Sequence, residues 1–217
     1  MTADPHRNFV LGTRNRSHRG STVKEKLLAA AERLLQTHRP NDITTTMILR
    51  EAGVARGSLY HHFDSQAELL ESAMLLMFSH HVTNNIQVLD SVVNQSRNRH
   101  EFLTGLKQVT QISQAKERRA SRFARIRLIA AAEHNPRLEQ LLAKEQTRLT
   151  RALTKIIDSA KTNHWIHKDI PSAALAVFIQ SYTLGKVVDD LVAKPIDPSD
   201  WNNLIGMFVE RTLTKSH

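Results

Sequence analysis

Four hydrogen-bonding side chains of different chemistry fall close together in one short segment, namely Arg56, Ser58, Tyr60 and His61. They supply a guanidinium, a hydroxyl, a phenol and an imidazole, which are groups that proteins use to contact base edges and phosphates. The whole chain carries 30 Lys and Arg against 21 Asp and Glu, a formal net charge of +9. Such an excess of positive charge attracts polyanions. We therefore predict that this segment binds nucleic acid.

The other reactive side chains are badly spaced for catalysis or metal binding. The histidine pairs His61–His62 and His80–His81 are adjacent, so their side chains point about 100° apart on a helix and cannot chelate one ion. Cysteine is absent, which excludes thiolate zinc sites and cysteine nucleophiles. We predict a protein that is not an enzyme and that uses no metal and no cofactor. A helical enzyme with an interior cavity is the weakest alternative.

Two short helices must position the four donors. We predict helices over residues 44–52 and 56–63, separated by a turn at Gly53. Gly53 can adopt a positive φ at the end of the first helix, where a residue with a Cβ would be strained. In the second helix Leu59 and Phe63 face inward, so the donors are left on the outside. This pattern is typical of a helix-turn-helix, whose second helix enters the DNA major groove.

Residues 43–70, ITTTMILREAGVARGSLYHHFDSQAELL, resemble the DNA-binding domain of the TetR family of transcriptional regulators. The likeness extends over residues 23–77 and is carried by LLAAAERLL, the threonine run, AGV and GSLYHHF. It implies a repressor that binds a pseudo-palindromic DNA operator as a homodimer and leaves it when a small-molecule effector binds. The alternative is an effector-independent DNA-binding protein, or a protein-interaction module without a ligand pocket.

The resemblance also implies roles for individual residues. The implied DNA-binding residues are Thr44, Thr45, Thr46, Arg56, Gly57, Ser58, Tyr60, His61 and Gln66. Thr44 and Thr45 would cap the first helix of the motif and touch phosphates, and Arg56 would contact a guanine. Two positions depart from the family pattern. Ala55 stands where a Ser or Thr cap is common, and Gln66 stands where Lys is usual.

Helical periodicity continues through the rest of the chain, and no segment alternates as a strand would. A helix is predicted from residue 65 to 77, and others over residues 82–96, 101–114, 115–134, 136–162, 171–193 and 198–214. We predict an all-α protein with a disordered basic arm over residues 1–20. A three-helix helix-turn-helix DNA-binding domain follows over 21–66, and a larger helical ligand-binding and dimerisation domain over 67–217. The arm is either a solvated tail or a clamp in the minor groove.

One arginine of the larger domain is predicted to lie on an apolar helix face. Arg127 follows Phe123 on that face, and His134 points in nearly the same direction. A charge there needs a partner, either a buried acid such as Asp189 or a ligand. A narrow stripe on this helix holds Arg118, Arg122 and Arg125, and we predict that it is solvated or paired with acids of a neighbouring helix. The candidate ligand-binding residues are Phe102, Leu106, Phe123, Arg127, His134, Trp165, Phe178 and Tyr182, of which the apolar ones also suit an ordinary core.

The last two predicted helices carry apolar residues nearly all round. We predict that the helices near 171–193 and 198–214 form a homodimer interface with a second copy. The alternative is that they are ordinary core helices of a monomer. No stretch predicts a membrane span or an export signal. We therefore expect a cytoplasmic protein whose partners are double-stranded DNA, a second copy of itself and a small-molecule effector.

Overall fold

The computed structural model describes residues 22–213, and every regular element in that range is helical. The helices are α1 Val23–Thr37, α2 Thr45–Ala52, α3 Arg56–His62, α4 Gln66–Gln95, α5 Arg99–Gln114, α6 Arg119–Ala132, α7 Pro136–Thr162, α8 Ser172–Gly185, α9 Val187–Asp190 and α10 Pro198–Leu213. Short 3-10 turns cover Pro40–Asp42 and Lys116–Arg118. The all-α prediction is confirmed. The predicted basic arm over residues 1–20 lies outside the described residues.

Side-chain caps fix where several helices begin. Thr22 accepts a hydrogen bond from the Glu25 backbone N–H, and the Glu25 carboxylate accepts one from the Thr22 backbone N–H. This reciprocal pair is a capping box. Helices α2, α4, α5 and α7 are capped in the same position by side-chain oxygens of Thr44, Ser65, Asn98 and Asn135. Each cap satisfies a backbone donor that the helix itself leaves free.

The N-terminal domain has its own apolar core, made by α1, α2, α3 and the first turns of α4. Its buried residues are Leu27, Ala30, Ala31, Ile43, Ile48, Leu59, Phe63, Leu69, Leu70 and Ala73. A second core lies between α4 and the helices that follow, with α7 packed against both α4 and α8. Among its buried residues are Phe78, Val82, Phe102, Leu128, Leu153, Ile157 and Ala176. Helix α4 therefore contributes side chains to both cores.

Two predicted helix boundaries are wrong. The segments predicted separately as 65–77 and 82–96 form the single helix α4, because the polar residues between them include no Gly or Pro to break it. At 30 residues α4 is about 45 Å long. The helix predicted over 171–193 is interrupted after Gly185. The turn that follows is held by two ion pairs, Lys186–Asp189 and Arg122–Asp190.

The predicted orientation of α6 is also wrong. Arg127 and His134 are exposed, while Arg122 is only 5% exposed and Arg125 is half-buried. The buried residues Leu128 and Ala132 mark the side of α6 that faces the core. Arg125 lies one turn before Leu128 on that same side of the helix. The ion pair predicted between Arg127 and Asp189 is not formed. Arg122 instead pairs with Asp190 of α9, so the alternative that the arginine stripe meets an acid of a neighbouring helix is confirmed at Arg122.

Candidate DNA-binding surface

A tight turn sets the angle between α2 and α3. Gly53 has φ +64°, and its backbone N–H points back to the carbonyls of Leu49 and Arg50. The next N–H, of Val54, donates to the Leu49 carbonyl at 3.2 Å. These bonds end α2 with Gly53 in the left-handed conformation, which glycine adopts readily and which strains a residue with a Cβ. The predicted role of Gly53 is confirmed.

Helix α3 has one buried side and one exposed side. Leu59 is buried, and Phe63 directly after the helix is buried as well. On the other side Tyr60 is 52% exposed, and Arg56 and His61 are also exposed. The inward direction predicted for Leu59 and Phe63 is confirmed. The helix thus presents a guanidinium, a phenol and an imidazole to solvent while its apolar side chains hold it to α1 and α4.

Space at the start of α3 is open. A Cβ added to Gly57 would meet no atom within 4 Å, so packing within the protein does not require glycine there. Ser58 beside it is half-buried. Ala55 stands at the N-cap and makes no side-chain hydrogen bond, as its residue type predicts. Another molecule could therefore approach the start of α3 closely, because few side-chain atoms lie there.

The start of α2 is tied to the start of α4. The Thr44 hydroxyl accepts a hydrogen bond from the Met47 backbone N–H at 3.2 Å, so Thr44 caps α2 as predicted. The cap predicted for Thr45 is wrong, since its hydroxyl donates to the Gln66 side-chain oxygen at 2.7 Å. The Gln66 side-chain amide in turn donates to the Ile43 carbonyl. Both ends of the Gln66 amide are therefore engaged within the protein.

Two further contacts, which the sequence reasoning missed, hold the motif in place. Arg33 of α1 forms an ion pair with Glu51 of α2 at 2.6 Å. The Lys24 ammonium lies 5.6 Å from the centre of the Phe63 ring, within the range of a cation–π contact. Both join residues far apart in sequence, and no local pattern signals them.

Comparison with known proteins agrees with this geometry. A sequence profile of bacterial regulatory proteins of the tetR family matches residues 27–73, which include α2, the Gly53 turn and α3. Residues 27–73 thus match the N-terminal, DNA-binding domain of the TetR family of transcriptional regulators. Members of this family are DNA-binding regulators, so the prediction that the protein is not an enzyme is confirmed. No curated protein sequence matches the chain.

Solved structures of similar fold cover most of the chain. A transcriptional regulator from Saccharomonospora viridis in complex with choline has a TM-score of 0.67 at 15% identity, covering 89% of this chain and 98% of that one. A TetR-family regulator from Mesorhizobium loti has a TM-score of 0.65 at 14% identity, covering 87% and 93%. A tetR-family protein from Rhodococcus RHA1 has a TM-score of 0.59 at 18% identity, covering 91% and 100%.

Of the eight candidate ligand-binding residues, Phe178, Arg127 and His134 are exposed, whereas the other five are buried or half-buried. Phe102 and Trp165 stack with their ring centres 5.2 Å apart in the core, and Tyr182 lies near Thr110 on α5. Leu106 is half-buried in the same core, and the half-buried Phe123 ring carries the Arg119 guanidinium. Phe178 is exposed beside Phe208 of α10. Arg127 and His134 point to solvent, so neither is placed to meet an interior ligand.

Residues 22–213 contain no helix that combines the length and the apolar character needed to cross a bilayer. Over the same range, no three His, Asp or Glu side chains are grouped closely enough to hold a metal ion.

Proposed function

We propose that the protein is a homodimeric repressor that binds a pseudo-palindromic operator in the cytoplasm and is released when a small-molecule effector binds its C-terminal domain. The observation that carries the proposal is the exposed polar side of α3, set by the buried Leu59 and by the Gly53 turn. A helix fixed in this way can enter a major groove without loosening the core behind it.

Residues on the exposed side of α3 divide into two roles. Arg56, Gly57 and Ser58 lie at the helix start and would read base edges. Tyr60 and His61 would hold the phosphate backbone, together with Thr44 and Thr46 at the start of α2. Thr45 and Gln66 would support the surface from behind, because their side chains already bond to each other.

An apolar surface near the C-terminus supports the homodimer. We call it the dimerisation surface, and its exposed members are Val177, Phe178, Val188, Leu191, Val192, Ile196, Leu204, Met207 and Phe208. They belong to α8, to α10 and to the segment between them. The Phe178 and Phe208 rings lie 4.9 Å apart and join α8 to α10. Exposed apolar residues gathered in this way are typical of an association site. Two copies related by a two-fold axis would bury it and would present two α3 helices to one DNA duplex.

Helix α4 offers a physical link between an effector and the DNA. Its first turns pack in the N-terminal core, and the rest packs against α7 in the C-terminal core. A shift of α4 would change the separation of the two α3 helices, which must match half-sites about 34–36 Å apart or a multiple of that. An effector that prefers the mismatched separation by about 1–3 kcal/mol would release the DNA. A protein of the same fold was solved with choline bound, which supports a small-molecule effector for this chain.

Selection of genomic DNA fragments by the purified protein tests the proposal. We expect enrichment of fragments that share an inverted repeat, and we expect genes beside them to suggest the effector. Enrichment without any shared repeat would contradict the proposal. Binding that no small molecule weakens would favour the effector-independent alternative instead.

A further inference from the structure

Two arginines of α6 point inward, and the first is fully partnered. The Nε and Nη2 of Arg122 donate to the two carboxylate oxygens of Asp190 at 2.6 and 2.8 Å. Its Nη1 donates to the carbonyls of Ser113 and Ala115. Two such charge-assisted hydrogen bonds make a strong, bidentate pair between a guanidinium and a carboxylate. A buried cation is thereby neutralised within the protein.

Arg125, one turn further along α6, lacks such a partner. Its Nη2 donates to the neutral side-chain oxygen of Gln146 at 2.9 Å. Its Nε is buried and, among residues 22–213, has no hydrogen-bond partner. No carboxylate in that range forms an ion pair with it. Glu145, which precedes Gln146 on α7, pairs with Arg148 at 2.8 Å. The Phe78 ring lies 5.3 Å from the guanidinium.

The surroundings of Arg125 are positive and short of acid. Burial lowers the pKa of His81 on the neighbouring α4, and the positive charges of Arg118 and Arg125 lower it further. Burial also lowers the pKa of Arg125 itself. An uncompensated charge at such a position destabilises the fold unless something balances it.

The interior of this domain has a second unsatisfied group. Gln114 at the end of α5 is 4% exposed, and neither atom of its side-chain amide has a hydrogen-bond partner within the described range. Its neighbours in sequence are the two residues whose carbonyls bind Arg122. The C-terminal domain thus holds more buried hydrogen-bonding capacity than the chain itself uses, which native proteins rarely tolerate without a reason.

We propose that the effector carries a carboxylate and that Arg125 binds it through Nε and Nη2, the same edge that Arg122 uses for Asp190. The inference rests on the proposed function, since it names the chemical class of that effector. The carboxylate would displace the Gln146 oxygen from Nη2, and Gln146 would stay anchored through the bond from its side-chain amide to Gln180. Arg125 is half-buried as a residue while its Nε is buried, so the ligand would reach Nε as it displaces the Gln146 side chain. The Phe78 ring would pack against an apolar part of the ligand, on the same helix that reaches the DNA-binding domain.

The first experiment needs no ligand. Arg125→Met replaces an unbalanced buried cation by an apolar side chain of similar length, so we expect the melting temperature of the full chain to rise by about 2–4 °C. Arg127→Met is the matched control, because it removes the same charge from the exposed side of the same helix and should leave the melting temperature unchanged. A lower melting temperature for Arg125→Met would show that the guanidinium supports the fold, and it would overturn the proposal.

The second experiment measures the melting temperature of the wild-type chain with aliphatic carboxylates from butyrate to decanoate, with benzoate and naphthoate, and with the primary amide of each acid. We expect at least one acid to raise the melting temperature in proportion to the logarithm of its concentration, while its amide and choline do not. Arg125→Met should abolish the rise and Arg127→Met should keep it. Equal shifts from acid and amide, or no shift from any acid, would overturn the proposal.

These outcomes are separate from the fate of the proposed function. If the protein selects an inverted repeat but no acid raises its melting temperature, it is a DNA-binding regulator without a carboxylate effector. If the protein binds an acid through Arg125 but selects no DNA, the Arg125 site is supported and the proposed DNA-binding regulator is contradicted.

Discussion

At the scale of single residues, Arg56 and Tyr60 occupy different parts of one exposed helix side. Arg56 stands at the first position of α3, where a side chain reaches deepest toward a groove. Tyr60 lies one turn later and is half exposed to solvent. A guanidinium can form two hydrogen bonds with guanine, whereas a phenol at the edge of the helix meets the backbone that every sequence shares.

We expect Arg56→Ala to lose about 1–3 kcal/mol of discrimination at one base pair of each half-site. Tyr60→Phe should weaken binding to all sites alike and leave the base preference intact. Competition between the selected operator and single-base variants of it, with either protein, measures both effects. Equal loss of preference in the two variants would contradict this division of roles.

At the scale of elements, the position of α2 depends on α4 through Gln66. The Thr45 hydroxyl and the Ile43 carbonyl both bond to its side chain, so the start of the DNA-binding motif is fixed to the helix that extends into the C-terminal domain. A lysine at this position would instead offer a charge to a phosphate. The neutral amide of Gln66 instead forms its hydrogen bonds within the protein.

We expect Gln66→Ala to lower both the melting temperature and the affinity for every DNA sequence, with the salt dependence of binding unchanged, because no phosphate contact is lost. Thr45→Val removes the other half of the same bond, so the double variant should lose clearly less than the sum of the single variants. Additive losses of affinity with an unchanged melting temperature would show instead that each side chain touches DNA by itself.

A second link joins α4 to the start of α7. The Glu68 carboxylate accepts hydrogen bonds from the Asp64 backbone N–H at 2.7 Å and from Arg137, and these bonds lower its pKa below the ordinary value of 4.5. Asn135 beside it donates to Glu71 at 2.8 Å. A lowered pKa means that the ionised carboxylate stabilises the fold above pH 4.5, and that this stability is lost as the pH falls through the lowered pKa.

We expect Glu68→Gln to be less stable than the wild type at pH 7, by up to about 1 kcal/mol because the pair is partly exposed. The difference should shrink as the pH falls from 4.5 through the lowered pKa, because the carboxylate becomes protonated first in the unfolded and then in the folded protein. Denaturant melts across this pH range measure it. Glu139→Gln on the exposed side of α7 serves as the control for charge alone, and a pH-independent difference would contradict the account.

The sequence predicted the DNA-binding motif well because its signals are local. Gly53 marks the turn, and the spacing of Leu59 and Phe63 fixes which side of α3 is buried. The orientation of α6 was not predictable in this way, because arginines occur on several of its faces. Its inward side is decided by the pairing of Arg122 with Asp190, which lies 68 residues away in sequence.

At the scale of the whole molecule, the proposed dimerisation surface would decide whether two α3 helices can act together. Leu204 of α10 is 57% exposed in this surface. A helix that faces only solvent rarely carries so many exposed apolar residues. A single copy would bind one half-site only. The formation of a dimer is therefore a condition for recognising an inverted repeat.

We expect Leu204→Glu to turn the proposed dimer into a folded monomer, because the interface would bury a carboxylate among apolar side chains. Light scattering at micromolar concentration measures the mass, and circular dichroism confirms that the helices remain. Val88→Glu on α4 is the control, since Val88 is exposed to 41% but lies outside the dimerisation surface. A wild-type protein that is already monomeric would contradict the dimer.

Protection of guanine N7 from methylation in the selected operator tests the role of α3 most directly, because N7 lies in the major groove. The account predicts two protected patches related by the inverted repeat, and it predicts that Arg56→Ala restores reactivity at one guanine in each patch while the rest stay protected. Guanines that remain fully reactive in a saturated complex would contradict it, since α3 would then lie outside the major groove.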